Sequence, residues 1–99
     1  MVTKIIWNKT ALKTFDEITI YLLDQYSLQT AQKFADRAYD KIEQVAKYPT
    51  IGRKVPDTKT LRKVNFGEHH QLYYRAKGKT LYICDFWDTR QNPKNTPYS

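Results

Sequence analysis

QYSLQTAQKFADRAYDKIEQVAKYPTIG, residues 25 to 52, is the stretch whose reading decides the fold. Ala31, Phe34, Ala35, Ala38, Ile42 and Val45 recur in it at spacings of three and four, which places them along one face of a helix. Ser27 stands where its hydroxyl can accept from an otherwise unpaired first-turn amide, so it reads as the N-cap. Pro49 ends the helix, because it lacks an N–H and biases Tyr48 away from helical dihedrals. The alanines on the apolar face are small enough to let a second helix approach closely.

That second helix lies immediately upstream. Ala11, Leu12, Phe15, Ile18, Leu22 and Leu23 recur at helical spacing, with Lys13, Asp16, Glu17 and Asp24 between them, which predicts a helix over 9–25. Only a few residues join the two, so they form an antiparallel hairpin. Before the hairpin, KIIW (Lys4 to Trp7) has the β-branched and aromatic character of a short strand. After it comes a polar, basic loop, TIGRKVPDTKT, and then the period changes to two. Runs near 60–66, 69–76 and 80–87 are rich in Val, Leu, Tyr, Phe and Trp. Lys77-Gly78-Lys79 reads as the hairpin turn between the last two, and Gly67 as the turn between the first two. The expected fold is α+β: an N-terminal strand and an antiparallel helical hairpin packed on a small, about four-stranded, mainly antiparallel sheet. One face of the sheet is covered by helices and the other is left partly open. Ala31, Ala35, Ile42 and Leu81 are the expected centre of the core.

At 99 residues the chain is one domain, 1–99, with no internal repeat or linker. A chain of that size buries roughly two-thirds of its unfolded surface, enough for one modest core. No apolar run approaches a membrane span, and the opening MVTKIIWNKT lacks the length and cleavage site of a signal peptide. The expected location is the cytoplasm, which agrees with a single cysteine, Cys84, that has no internal partner. The net charge is +7 and it is segregated: residues 1–50 carry +1 and residues 51–99 carry +6. A basic, aromatic-rich half suits an acidic partner, whether nucleic acid, ribosome or protein.

Ordinary cofactor and metal chemistry is not encoded. His69 and His70 are adjacent, so on a strand they point to opposite faces and cannot chelate one ion together. Cys84 has no second cysteine to share a zinc with, and there is no Gly-rich phosphate loop or nucleophile elbow. Metal-free cleavage of RNA is a different matter. It needs activation of a 2′-hydroxyl, a cationic cradle for the phosphate, and a proton for the leaving oxygen. Arg62, Arg75 and Arg90 in the sheet region, with Arg53 and Lys54 on the preceding loop, can supply the cradle. His69, His70 or Tyr98 can move protons. Alternation along the strands puts Arg62 on a face with Val64 and Phe66, and Arg75 on a face with Tyr73, so these arginines need not converge. The plainer reading is that they are solvated, or lie over aromatic rings by their stems. Asp85 and Asp88, flanking Trp87, read as carboxylates that fix a strand end. Tyr73, Tyr74 and Tyr82 read as strand packing.

In this order the segments resemble a known family. Trp7 before helix one, Tyr26, Ser27, Ala31 and Phe34 into helix two, YPTIGR at its end, LRKV, YYRAKGKTLYI and DTRQNP together resemble toxins of the RelE/ParE superfamily, over roughly residues 4 to 94. The resemblance implies a type II toxin–antitoxin pair of the kind tied to growth inhibition and plasmid stabilisation. It implies no cofactor, and a cognate antitoxin that lays an amphipathic helical or extended segment on the toxin. RelE-like members cleave mRNA on the ribosome, and that branch would make Arg62, Arg90 and Tyr98 catalytic. ParE-like members inhibit DNA gyrase, have a long helical hairpin followed by P..GR, and share an R..P exit, met here by Arg90 and Pro93. The hairpin favours the ParE-like branch. Arg53, Lys54, Arg62, His70, Arg75 and Arg90 are then expected on the surface that meets the antitoxin or the target. An inactive relative that keeps only antitoxin binding is the third alternative.

Overall fold

The computed structural model describes residues 2–91. Strand β1 (Lys4–Trp7) leads into helix α1 (Lys9–Gln25), which α2 (Leu28–Lys47) follows. The chain then forms β2 (Arg53–Lys54), β3 (Arg62–Phe66), β4 (His70–Lys77) and β5 (Thr80–Asp88). The strands make one sheet in the order β1-β5-β4-β3-β2, antiparallel except for the parallel β1–β5 pair. The sheet therefore has five strands rather than about four. The extra one is the two-residue β2, inside the basic loop, where Arg53 and Lys54 pair with Lys63 and Arg62. Two paired residues leave no periodic signature, which is why the sequence reads as a loop there.

The local signals act as expected. The Ser27 hydroxyl accepts from Thr30 N at 3.1 Å, and Asn8 caps α1 by accepting from Ala11 N at 2.8 Å. Helix α2 ends at Lys47 with Tyr48 as C-cap, one residue before Pro49. Lys77 pairs with Thr80, so Gly78 and Lys79 make a two-residue hairpin loop, and Gly78 takes a φ of +60°, which glycine adopts without strain.

Helix α1 buries Ala11, Ile18 and Leu22, and α2 buries Ala31, Phe34, Ala38, Ile42 and Val45. Leu12 and Leu23 depart from expectation: they are 53% and 47% exposed. Each sits one position past a buried residue, about 100° further round the helix, and the face that meets the sheet and α2 is too narrow to include them. Ala35 is likewise half-buried, while Ala31, Ile42 and Leu81 are core. The hairpin is held to the sheet by rings. Phe15 of α1 lies 5.3 Å from both Trp7 of β1 and Phe86 of β5, and 5.1 Å from Phe34 of α2. Such pairs add about 0.5–1.5 kcal/mol each to their area burial.

The far end of the hairpin is fixed by polar contacts. The Tyr74 hydroxyl donates to Pro49 O and accepts from Gly52 N, both at 2.8 Å. Arg62 Nη1 donates to Gly52 O at 2.7 Å and reaches Thr50 O at 3.4 Å. A side chain on Gly52 would strike the Tyr74 ring, its Cβ falling 2.8 Å from Cε1 and 2.9 Å from Cζ. Burial pushes the Tyr74 phenol above its ordinary value, against the opposing pull of the Gly52 amide and Arg62. The hydroxyl thus stays protonated and able to donate at neutral pH. Replacing Tyr74 by Phe removes both bonds and leaves the Gly52 amide without its partner. Urea unfolding should show a loss of about 1–3 kcal/mol with an unchanged m-value.

Candidate functional site

Strand register sorts the candidate residues onto two faces. Arg62 pairs with Tyr74 and Lys54 with Arg62, so all three belong to the helix-covered side. Arg53 pairs with Lys63, Lys63 with Tyr73, and Arg75 with Tyr82, which puts these residues on the other side. The register thus puts Arg62 and Arg75 on opposite faces of the sheet. Arg53, Lys54 and Arg75 are exposed, whereas Arg62 is half-buried against the carbonyls that follow α2.

The open face has a small core of its own in Val55, Leu61, Tyr73 and Cys84, with Tyr82 and Trp87 packed at its margin. A cleft of about 380 Å³ there is lined by Asn8, Thr10, Leu61, Arg75, Tyr82 and Cys84. Burial pushes the Cys84 thiol above its ordinary value, more than the nearby Arg75 brings it down. It is therefore held as the thiol and is not an activated nucleophile. Around this floor stand the three cations Arg53, Lys63 and Arg75. Lys63 was not singled out from the sequence, although alternation from Arg62 puts it beside Tyr73.

His70 and Arg90 belong to a second place, where β4 begins and β5 ends. His70 Nε2 and Asp88 Oδ2 are 2.8 Å apart, both residues buried. Asp88 Oδ1 accepts from the amides of Arg90 and Gln91 at 2.7 and 3.2 Å, so this carboxylate does fix a strand end. The Arg90 guanidinium lies 4.7 Å over the Tyr26 ring, with Nη2 3.7 Å from Asp88 Oδ2. His69 is part of the turn and not of β4, so the two histidines do not diverge as strand neighbours would. Both border one cleft of about 250 Å³, together with Lys33 and Arg37 of α2. Those two cations, four residues apart on one helix, were not singled out from the sequence. Their i, i+4 spacing was the available signal.

Tyr98 and Pro93 lie outside the described residues. Among the described residues no three or more His, Cys, Asp or Glu side chains are placed to hold a metal ion, and no helix is long and apolar enough to cross a membrane.

The sequence matches the family described as the ParE toxin of the type II toxin-antitoxin system, parDE, over residues 5–93. The chain belongs to this ParE toxin family. Among solved structures, one titled as the chromosomal ParDE TA system from P. aeruginosa matches with a TM-score of 0.73 at 16% identity, over 88% of this chain and 96% of that one. The solution structure of a conserved hypothetical protein from Helicobacter pylori matches with a TM-score of 0.59 at 18% identity, over 91% and 97%. Both likenesses are of fold. No curated protein sequence matches this chain.

In this ParE-family chain the Asp88 carboxyl should make stability depend on acid. Burial alone would raise its pKa, but the hydrogen bond from His70, the two amides and the His70 charge outweigh it and hold it below the usual carboxylate value. A depressed folded pKa contributes stability that is fully present above the unfolded value, about 3.9, and is lost as pH falls through the folded one. Urea unfolding from about pH 6 down to about pH 2 should therefore show native protein more stable than Asp88→Asn at the upper end, with the gap closing below about pH 4.

Proposed function

We propose that this chain is the toxin of a two-component pair, that it arrests growth by binding DNA gyrase, and that a separately encoded antitoxin neutralises it. Membership of the ParE family supports the toxin role, and the likeness to the P. aeruginosa ParDE structure supports a protein partner. The observation that carries binding over cutting is the separation of the candidate catalytic groups. Metal-free phosphodiester cleavage requires cations and a proton carrier converging on one phosphate. Here Arg62 is bonded to Gly52 O beneath the helices, apart from the cleft that Arg90, His69 and His70 border, and within that cleft Arg90 is stacked on Tyr26 and His70 is bonded to Asp88.

The open face has what a target-binding surface requires. Arg53, Lys63 and Arg75 surround a floor that includes Tyr82 and Trp87, a pairing of cations and half-buried rings that suits an acidic protein segment. Arg75 is the exposed cation nearest the middle of this face, since it pairs with Tyr82 and borders the open-face cleft. The site of action is the cytoplasm, where gyrase works. Because the same three cations also suit an RNA backbone, ribosome-dependent cleavage of mRNA is the reading that a first experiment should set against this one.

Purified protein should inhibit gyrase supercoiling of plasmid DNA and leave the 5′ ends of mRNA unchanged in a translation reaction. Arg75→Ala should raise the concentration needed for inhibition about tenfold or more, equivalent to about 1.4 kcal/mol of binding. Ribosome-dependent cleavage with intact supercoiling would assign the chain to the RelE-like branch. Absence of both activities would leave an inactive relative that keeps only antitoxin binding.

A further inference from the structure

We propose that the cleft between α2 and the β3–β4 turn is a binding site for a phosphate dianion, either inorganic phosphate or a phosphomonoester. This does not rest on the gyrase reading, and the site lies on the helix-covered side, apart from Arg75. Its lining brings together Lys33 and Arg37 from α2, His69 from the β3–β4 turn, His70 from the start of β4, and Arg90 from just past the end of β5. Lys33, Arg37 and Arg90 bring three positive charges to the lining and Glu68 brings one negative, a surplus of two before the histidines are counted. Glu68 is 88% exposed and sits 3.7 Å from His69, so it stands at the rim.

The walls are prepared for an anion. Lys33 and Arg37 make no ion pair or hydrogen bond among the described residues. Arg90 is fixed by the Tyr26 ring on one side and Asp88 on the other, yet its Nε is buried and bonds to nothing among the described residues. Buried donors of that kind cost about 1–3 kcal/mol unless something accepts from them. Asp88, 3.7 Å from Arg90, carries a further negative charge, which leaves the cleft a surplus of one before the histidines are counted, while its two oxygens are taken up by His70 and two backbone amides. The β3–β4 turn also accommodates Arg37: at Gly67, with φ of +60°, an added Cβ would come 3.3 Å from Arg37 Nη1. Donors from three separate elements, on Lys33 and Arg37, on His69 and on Arg90, suit the three terminal oxygens of a phosphate or phosphomonoester better than the two of a carboxylate or the two free ones of a phosphodiester. A volume of about 250 Å³ admits a phosphoryl group with a small substituent.

The test is a titration of the whole protein with inorganic phosphate, methyl phosphate, dimethyl phosphate and acetate at matched ionic strength. Binding is followed by the NMR shifts of the Gly67, His69, His70 and Arg90 amides and the Arg90 Nε–H. Inorganic phosphate and methyl phosphate should give saturable shifts confined to these groups, with dimethyl phosphate and acetate binding about tenfold more weakly or less. Methyl phosphate binding more tightly than inorganic phosphate would identify the monoester as the ligand, and the reverse order the free ion. Lys33→Ala/Arg37→Ala, at exposed helix positions that tolerate alanine, should weaken phosphate binding at least about tenfold with the unfolding midpoint kept. Lys77→Ala, at the opposite end of β4, should not change it. Equal shifts with all four anions, or undiminished binding in the double variant, would overturn the proposal.

Discussion

The Tyr74 hydroxyl joins the two halves of this chain. Helix α2 ends just before Pro49, and within six residues the backbone has to reverse into β2 and meet β3. Tyr74 donates to Pro49 O and accepts from Gly52 N, while Arg62 donates to Gly52 O from the neighbouring strand. Backbone groups in such a connector have no helical or ladder partner of their own, so a side-chain network has to satisfy them. Gly52 is required because the ring comes too close for a Cβ. The Pro-x-x-Gly-Arg segment thus has a structural meaning: a stop, a close approach, and a strand that begins immediately afterwards. The same network places Arg62 under the helices.

Two consequences follow from how the sheet is covered. On the helix side, the rings of Trp7, Phe15, Phe34 and Phe86 fill the space between hairpin and strands, and Arg62, Tyr74, His70 and Asp88 are tied to particular partners. On the other side, a shallower core of Val55, Leu61, Tyr73 and Cys84 leaves cations at its edge in contact with water. A β-strand alternates its side chains, so successive basic residues such as Arg62 and Lys63 are sent to opposite duties. Reading charge along the sequence merges the two; reading it across the sheet separates them.

The elements were legible where periodicity is long. Seventeen residues of α1 and twenty of α2 declare themselves through spacing, caps and Pro49, and Gly78 declares its hairpin through its freedom at positive φ. The two-residue β2 was not legible, since pairing of Arg53 and Lys54 depends on where β3 lies. The extent of the buried face was overread: Leu12 and Leu23 look like core in the sequence, but the sheet meets only the narrower face holding Ala11, Ile18 and Leu22. At the candidate site, the separation of Arg62 from Arg75 was contained in the alternation. Partner choice was not. Nothing in the one-dimensional pattern brings Lys33 and Arg37 to His69, or seats Arg90 on Tyr26, because those contacts join the helical hairpin to the one end of the sheet where β4 begins and β5 ends, far off in sequence.

We propose that the helix-side arginine builds the fold and that the open-face arginine makes the target contact. This is tested most directly by measuring unfolding free energy and growth arrest together for Arg62→Ala and Arg75→Ala. Arg62→Ala should lose about 1–3 kcal/mol of stability, with growth arrest reduced only as far as folded protein is reduced. Arg75→Ala should keep native stability within about 0.5 kcal/mol and lose growth arrest. A fully stable Arg62→Ala that no longer arrests growth, beside an Arg75→Ala that still does, would contradict it.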